Sequence, residues 1–497
     1  MVEQAVDAPF VFPFRTEKQH YLFDINTRRI LRVGKGMYDL VQDIGLLSPE
    51  AIHAKHDGQY TQPQIEAAIE AVRDFQGKGL LLPNRIQEIV APDTENVADE
   101  LESKRQQLIL EVTTACNFRC TYCVFGQEEG TFRPHGNEKM PWNVAKMAID
   151  DFMGHNSHAE HCAISFYGGE PLLNLPLIRT CVDYINQQYA NRRPTFSLTT
   201  NGYLLRDEAI EFLVSNRFNI SISIDGPQAV HDACRRTKEG HNTWEVVTGN
   251  LRRFLDVSRE KHGSDYLIIN AVGGLETDFE QVVTYFKEAD FCLENFSLLF
   301  APDRAVASTA RPGCRLYDSF REVLLDFDEQ LVSGKAKTDS NAFQICSALL
   351  CQDLLEFHKR RLLKCDDGIC KILHRTCTPG ARRQFTTVDG VYMPCERVER
   401  LESLAIGSCK TGVDLAKVQS LLNRWAAFPG CKTCWCATTC NVGCLASVAV
   451  DPYSNCRSRQ EACENHRKQK HSLLVRYCKL LESNPKALDF SKNTEAL

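Results

Sequence analysis

Twenty-three cysteines, none of them before Cys116, constrain this 497-residue chain more than any other feature. The first three form Cys116-Asn-Phe-Arg-Cys120-Thr-Tyr-Cys123, and most of the others lie after residue 340. What so many thiols mean depends on the compartment. Secreted, they would read as disulfides; in a reducing cytosol, cysteines at short regular spacings more often hold metal or clusters. The N-terminus (Met-Val-Glu-Gln-Ala-Val-Asp) lacks the basic and apolar regions of a secretory signal, and no apolar run approaches bilayer-spanning length. A cytoplasmic location is therefore expected. Three cysteines at x3 and x2 spacing on one loop can wrap one face of a [4Fe-4S] cluster, which normally takes four thiolates. The missing fourth leaves one iron open to bind a substrate. A zinc knuckle or three unrelated thiols are the alternatives from spacing alone.

The length implies two or three cores, and the net charge of -6 provides no global basic field. Nucleic acid and anionic membrane surfaces are thereby disfavoured as main partners, and a peptide or small molecule fits better. Residues 1–95 read as a small winged-helix-like domain. Alternation at Tyr21, Phe23 and Ile25, a turn at Asn26-Thr27 and a strand through Ile30, Leu31 and Val33 predict a hairpin. A short helix carrying Met37, Leu40, Val41 and Ile44 follows, then a longer one from Thr61 to Gly77 with a Thr61/Gln64 capping box. The polar stretch from Pro92 to Arg105 reads as a linker.

Across 105–310, short apolar strands alternate with amphipathic helices: Leu108 to Thr113, Ala163 to Tyr167, Phe196 to Thr200, Ile220 to Ile224, Leu267 to Val272 and Phe296 to Phe300. Six β/α units in series predict an α/β fold with a parallel sheet or open barrel, whose active site lies on the loops after the strand C-termini. The cysteine triplet follows the first strand, Gly168-Gly169-Glu170-Pro171 the second, Asn201-Gly202 the third and Asp225-Gly226-Pro227 the fourth. Residues 311–364 read as a helical bridging region with Phe320, Val323, Leu324 and Phe327 at helical spacing. Residues 365–470 are cysteine-dense and turn-rich, with a hairpin turn at Val388-Asp389-Gly390-Val391, and are expected to be held by metal rather than by apolar burial. The chain returns to helix from Glu464 to Leu481, and 471–497 reads as a C-terminal helix and tail.

The triplet, with aromatic Tyr122 before its last cysteine, resembles the signature of the radical S-adenosylmethionine (SAM) superfamily, and the resemblance extends over residues 107 to about 302. It implies a partial (β/α)6 barrel in which Cys116, Cys120 and Cys123 hold a [4Fe-4S] cluster whose open iron chelates SAM. It further implies reductive cleavage to a 5′-deoxyadenosyl radical, with an electron donor such as flavodoxin or ferredoxin. Gly168, Gly169 and Glu170 match the segment facing the SAM amino group, and Thr200, Asn201, Ser223 and Arg235 match further positions that hold SAM, with Arg236 an alternative to Arg235. Strand-end hydroxyls that satisfy backbone groups, and a surface ion pair for Arg235, are the plainer readings of these residues.

The pattern Cys377-x12-Gly390-x4-Cys395, Cys431-x2-Cys434-x5-Cys440-x3-Cys444 and Cys463 resembles the SPASM extension of radical SAM peptide and protein maturases. That resemblance implies two auxiliary [4Fe-4S] clusters, one on Cys431, Cys434, Cys440 and Cys463, the other on Cys377, Cys395, Cys444 and Cys370. Cys456 competes with Cys463, and Cys365 or an open iron competes with Cys370; two zinc sites are the alternative. Cys436, Cys162, Cys181, Cys292 and Cys314 are spare in the pattern and read as small buried apolar residues. Glu396, after Cys395, occupies the place of a carboxylate that sulfatase-maturing relatives are thought to use as a base, and a salt-bridged role is equally open. Residues 1–95 resemble the element that takes up a leader peptide as an added strand. In domain order the chain resembles ranthipeptide-type maturases, which implies a cysteine-rich precursor peptide with a leader as partner and a thioether as product. A sulfatase maturase making formylglycine and a non-catalytic zinc or cluster protein are the competing readings.

Overall fold

In the computed structural model the described residues are 7–123, 125, 134–262, 267–291, 296–302, 312–338, 340–363, 371–373, 377–398, 400–426, 430–440, 444–445 and 456–490. The chain divides into two compact units: Met1–Pro92, Asp353–Thr376 and Leu422–Leu497 form the first, Asp93–Gln352 and Cys377–Leu421 the second.

The first unit opens with β1 (Val11–Arg15), β2 (His20–Asp24) and β3 (Arg29–Val33), an antiparallel sheet in that order. The turn of the β2–β3 hairpin is built on Asp24, whose carboxylate accepts from the amides of Asn26 (3.1 Å) and Leu81 (3.1 Å). Helices α1 (Lys35–Leu40), α2 (Pro49–Lys55) and α3 (Gln62–Gly77) follow, the last with the Thr61/Gln64 capping box and Ile65, Ala68 and Val72 buried. Sequence reasoning missed α2, which buries only Ile52 and so carries no periodicity; its signals are the Ser48 cap and Pro49 in the first turn. A short strand, β4 (Glu88–Val90), completes this segment.

The second unit begins with α4 (Thr94–Ser103), capped by Asp93, whose carboxylate accepts from the Asn96 amide at 2.8 Å. This corrects the expected linker: Val97 and Leu101 are buried at i and i+4, and Arg105 is buried against Asp151 (2.7 Å) and Gln384 (3.0 Å). Two apolar residues in a polar stretch suffice for a helix that needs to bury only one narrow stripe. The expected β/α series then appears: β5 (Gln107–Thr113), α5 (Trp142–Gly154), β6 (Ala163–Gly168), α6 (Leu175–Gln188), β7 (Thr195–Thr200), α7 (Asp207–Ser215), β8 (Asn219–Ser223), α8 (Gln228–Cys234), α9 (Trp244–His262), β9 (Leu267–Gly273), α10 (Phe279–Glu288) and β10 (Phe296–Pro302). Strands β5 to β10 are parallel and lie side by side in sequence order. All their C-terminal ends therefore share one edge.

Strand β11 (Lys371–Leu373) belongs to the first unit, where it pairs with β4. Strands β12 (Gln384–Thr386), β13 (Val391–Met393), β14 (Gly407–Ser408) and β15 (Gly412–Val413) extend the large sheet beyond β5 to ten strands. The β12–β13 hairpin turns at the expected Asp389-Gly390. The expectation that this cysteine-dense stretch lacks apolar burial is overturned for 377–421, where Phe385, Val388, Tyr392, Met393, Val398, Leu404, Ile406 and Val418 are buried. Strands of two or three residues show no periodicity, yet by lengthening an existing sheet they share its core.

The first unit closes with the helix Cys456–Ser483. Leu474 and Cys478 on that helix, with Phe357, pack against Phe14, Tyr21, Phe23 and Ile25 on one face of the β1–β3 sheet, while Val11, Leu22, Val41 and Leu81 fill the other. Glu482 accepts from the hydroxyls of Thr16 and Tyr21, each at 2.7 Å. Among the described residues no helix is long and apolar enough to cross a membrane.

Candidate active site

The loop bearing the triplet is pinned from both sides. The Arg119 amide donates to the Arg236 carbonyl (2.9 Å), Thr121 to Cys234 (3.1 Å) and Lys238 to Asn117 (2.9 Å), so the segment after α8 straps the loop along its length. Phe118, 1% exposed, plugs the loop into the unit edge-on to Tyr203. From β6, the Gly169 amide donates to the Thr113 carbonyl (3.0 Å) and Glu170 to Ala115 (2.8 Å). The two glycines are required by this approach: a Cβ at Gly168 would stand 2.2 Å from the Thr113 oxygen, and one at Gly169 2.2 Å from that of Ala115. Gly168 also has φ +144.

Glu170 is fully buried, and its carboxylate accepts from the Thr200 hydroxyl (2.7 Å) and the amides of Leu172 (3.1 Å) and Asn201 (2.7 Å). Burial pushes its pKa up to about 7 against these three donors. The carboxylate thus joins the ends of β6 and β7 from within. Thr200 in turn accepts from the Gly202 amide (3.0 Å), and the Asn201 side chain donates to Asn117 (2.8 Å) and lies 4.0 Å from the Cys116 sulfur. Ser223 is half-buried at the end of β8, beside Asn270 of β9.

Arg235 is buried and paired with Asp225, Nε to Oδ2 at 3.0 Å, and the Tyr122 hydroxyl donates to the same oxygen at 2.6 Å. Arg236 is exposed and donates to the Gly240 carbonyl. Behind this pair stands His231. The Asp225 amide donates to its Nδ1 (3.4 Å), and because the Thr243 hydroxyl already donates to the Arg235 carbonyl (2.9 Å), Nε2–H donates to Thr243 (3.1 Å). Burial, then the Arg235 cation, push this imidazole down to about 3. A folded pKa below the unfolded 6.5 contributes stability that is present above pH 6.5 and lost as pH falls. Unfolding free energy of the second unit is expected to drop by about 1.4 kcal/mol per pH unit below pH 6.5. His231→Gln should lack that slope in denaturant titrations at pH 7, 6 and 5; equal slopes would refute the assignment.

The three thiols suit a cluster. Cys116, Cys120 and Cys123 are half-buried and act electrostatically on one another, the Phe118 amide donates to the Cys116 sulfur (3.4 Å), and His135 Nε2 lies 3.7 Å from that of Cys123. Burial pushes Cys116 up to about 12 and Cys120 up to about 11, so neither ionises near neutrality without a bound cation to compensate. Among the described residues no three His, Cys, Asp or Glu side chains converge on a single-ion site. Thiolates that each take a separate iron of a cubane stand further apart than ligands of one ion.

The other predicted residues lie on later segments of the chain. Glu396 follows β13 and pairs with Arg383 and Arg397. Cys377 is exposed and Cys395 half-buried, both in the second unit. Cys431, Cys434, Cys440, Cys444 and Cys463 are half-buried in the first unit. There Trp435 stacks on Phe12 (3.8 Å) and Thr438 donates to the Ile25 carbonyl (2.9 Å), anchoring the turn. Hydrogen bonding from Cys436, with help from Arg467, brings the Cys434 thiol down against burial. Cys436, one of the spare cysteines, is therefore part of this turn; Cys181 is buried as expected. Cys365, Cys370 and Cys292 lie outside the described residues, as does the side chain of Cys456. Sequence reasoning put Asp225 on a site loop but gave it no role, and it gave none to His231 or Asn117, because nothing in local spacing joins Asp225 to a tyrosine 103 residues away.

Residues 110–288 match the family model of the radical SAM superfamily, so the chain carries a radical SAM domain. Over 145 residues it is 35% identical to an uncharacterized protein of Methanocaldococcus jannaschii, covering 29% of this chain and 47% of that protein. Over 191 residues it is 27% identical to the cysteine-type anaerobic sulfatase-maturating enzyme of Clostridium perfringens (strain 13), covering 37% of this chain and 49% of the enzyme. The chain thus spans about half the length of the curated relatives it matches. The solved structure of native anSMEcpe with bound AdoMet aligns with 78% of this chain and 99% of its own at a TM-score of 0.55 and 20% identity, a shared fold. SAM and a [4Fe-4S] cluster are the cofactors that the superfamily implies.

Proposed function

We propose that the protein is a radical SAM peptide maturase that joins a cysteine sulfur to a carbon of a ribosomally made, cysteine-rich precursor peptide. The observation that carries the radical chemistry is the strapped three-thiol loop beside the buried Glu170–Thr200–Asn201 network. Cys116, Cys120 and Cys123 would hold the cluster, and the Gly168-Gly169 backbone, Asn201, Ser223 and Arg235 would line the SAM seat. Bound there, the cluster would supply, with an electron from a flavodoxin or ferredoxin, the reductive cleavage of SAM to a 5′-deoxyadenosyl radical, and the C-terminal cysteines would hold auxiliary clusters able to take up the electron released as the product forms. The substrate C–H hydrogen would pass as an atom to the 5′-deoxyadenosyl carbon, the thiol proton to a base, and closure of the S–C bond would release one electron to an auxiliary cluster. Glu396 is the candidate base.

The first unit supports a peptide substrate. Among the described residues β3 pairs only with β2, so its outer edge offers backbone groups to an added strand, and Arg29 and Arg32 are exposed on it. Arg29→Glu with Arg32→Glu should weaken binding of the precursor's leader at least about tenfold while uncoupled 5′-deoxyadenosine formation is unchanged; fluorescence anisotropy with a labelled leader reads this. Unchanged affinity would remove the leader claim. For the reaction itself, co-expression with a small cysteine-rich open reading frame beside the gene should yield a peptide lighter by two hydrogens, with one thiol that no longer alkylates. A precursor of unchanged mass would exclude the thioether. Similarity to sulfatase-maturating enzymes favours a second reading, formylglycine formation, which the same mass analysis on a sulfatase peptide decides.

A further inference from the structure

Asp225 joins three separate parts of the second unit with one carboxylate. It is 0% exposed; Oδ2 accepts from the Tyr122 hydroxyl of the cysteine loop (2.6 Å) and from Arg235 Nε at the end of α8 (3.0 Å), and Oδ1 accepts from the Val272 amide of β9 (3.0 Å). Its own amide is tied to His231, so the carboxylate stands on a fixed backbone. The Arg235 guanidinium lies 5.3 Å from the centre of the Tyr122 ring, and Asp225 and Arg235 act on the Cys120 sulfur in opposite electrostatic senses.

We infer that Asp225 is a positioning residue for the cluster loop, holding the Tyr122 ring against Arg235 and cancelling the Arg235 charge beside Cys120. This rests on the radical SAM reading above. Two consequences separate it from a merely structural role. The Tyr122 ring is fixed next to the last cysteine, so its tilt shapes the space in which SAM sits. The buried Asp225–Arg235 pair adds no net charge beside the cluster; loss of the anion alone leaves a cation there, in a low dielectric where it is poorly screened. A bare cation stabilises the reduced, more negative cluster and raises its midpoint potential.

The test uses reconstituted full-length protein and follows by EPR the one cluster signal that changes when SAM is added. If no signal of the wild type responds to SAM, the radical SAM reading fails, and this inference with it. If one does, Asp225→Asn should raise the midpoint potential of that cluster and weaken SAM binding about tenfold, the loss of one charge-assisted hydrogen bond. Tyr122→Phe should weaken SAM binding while leaving the potential in place. An Asp225→Asn protein with wild-type potential and wild-type SAM affinity overturns the inference. Should that variant fail to load iron, Asp225→Glu decides, since it keeps the charge and displaces the carboxylate: wild-type SAM affinity in both it and Tyr122→Phe overturns the inference, and weakened affinity at wild-type potential upholds it.

Discussion

Cys120→Ala is expected to lower 5′-deoxyadenosine formation at least about a thousandfold, to background, while the chain keeps its fold. The loop does not depend on the sulfur for its shape. The amides of Arg119 and Thr121 donate to the carbonyls of Arg236 and Cys234, the Lys238 amide donates back to Asn117, and Phe118 anchors the loop in the core. What the substitution removes is one of three thiolates, and with it the arrangement that leaves a single iron open to SAM. The measurement is anaerobic incubation of reconstituted protein with SAM and dithionite, beside a circular dichroism spectrum of the same sample. Substantial 5′-deoxyadenosine from a folded Cys120→Ala protein would show that the radical originates elsewhere.

Glu170→Ala is expected to cost about 3 to 5 kcal/mol of stability. Three donors, the Thr200 hydroxyl and the amides of Leu172 and Asn201, would be left without their acceptor in a site that is fully buried. Glu170→Gln should cost less, since its amide oxygen still accepts, although the amide nitrogen then faces a donor. Urea unfolding of the second unit reads both. A loss below about 1 kcal/mol for the alanine variant would mean that water or a rearranged loop satisfies those donors. Such an outcome would also separate Glu170 from the alignment of the β6 and β7 loop ends.

The parallel strands and their loops were legible because each crossover carries its own period and each loop its own punctuation. Six apolar runs, each followed by a helix, left few topologies, and β5 to β10 are parallel neighbours in chain order. The Gly-Gly-Glu-Pro motif was legible as well, but not its mechanics. Glycines at 168 and 169 are needed where the backbone of Thr113 and Ala115 passes, and that approach is a property of two strands rather than of either sequence. For the same reason the role of Asp225 was not legible: Tyr122, Arg235 and Val272 meet on it only after three loops are assembled. Helix α4 and the short strands β14 and β15 were hidden differently, since each buries too few residues to imprint a period on the chain, whereas the β12–β13 hairpin was announced by its turn.

The packing of Phe14, Tyr21, Phe23 and Ile25 against Leu474 and Cys478 sets an order of events during synthesis. These residues leave the ribosome some 450 residues before the helix that covers them, a gap of tens of seconds at ordinary elongation rates. Throughout that interval one greasy side of the newborn sheet must be shielded by something other than its eventual partner. Early termination anywhere before residue 474 would make that exposure permanent, so shortened transcripts of this gene should give insoluble product.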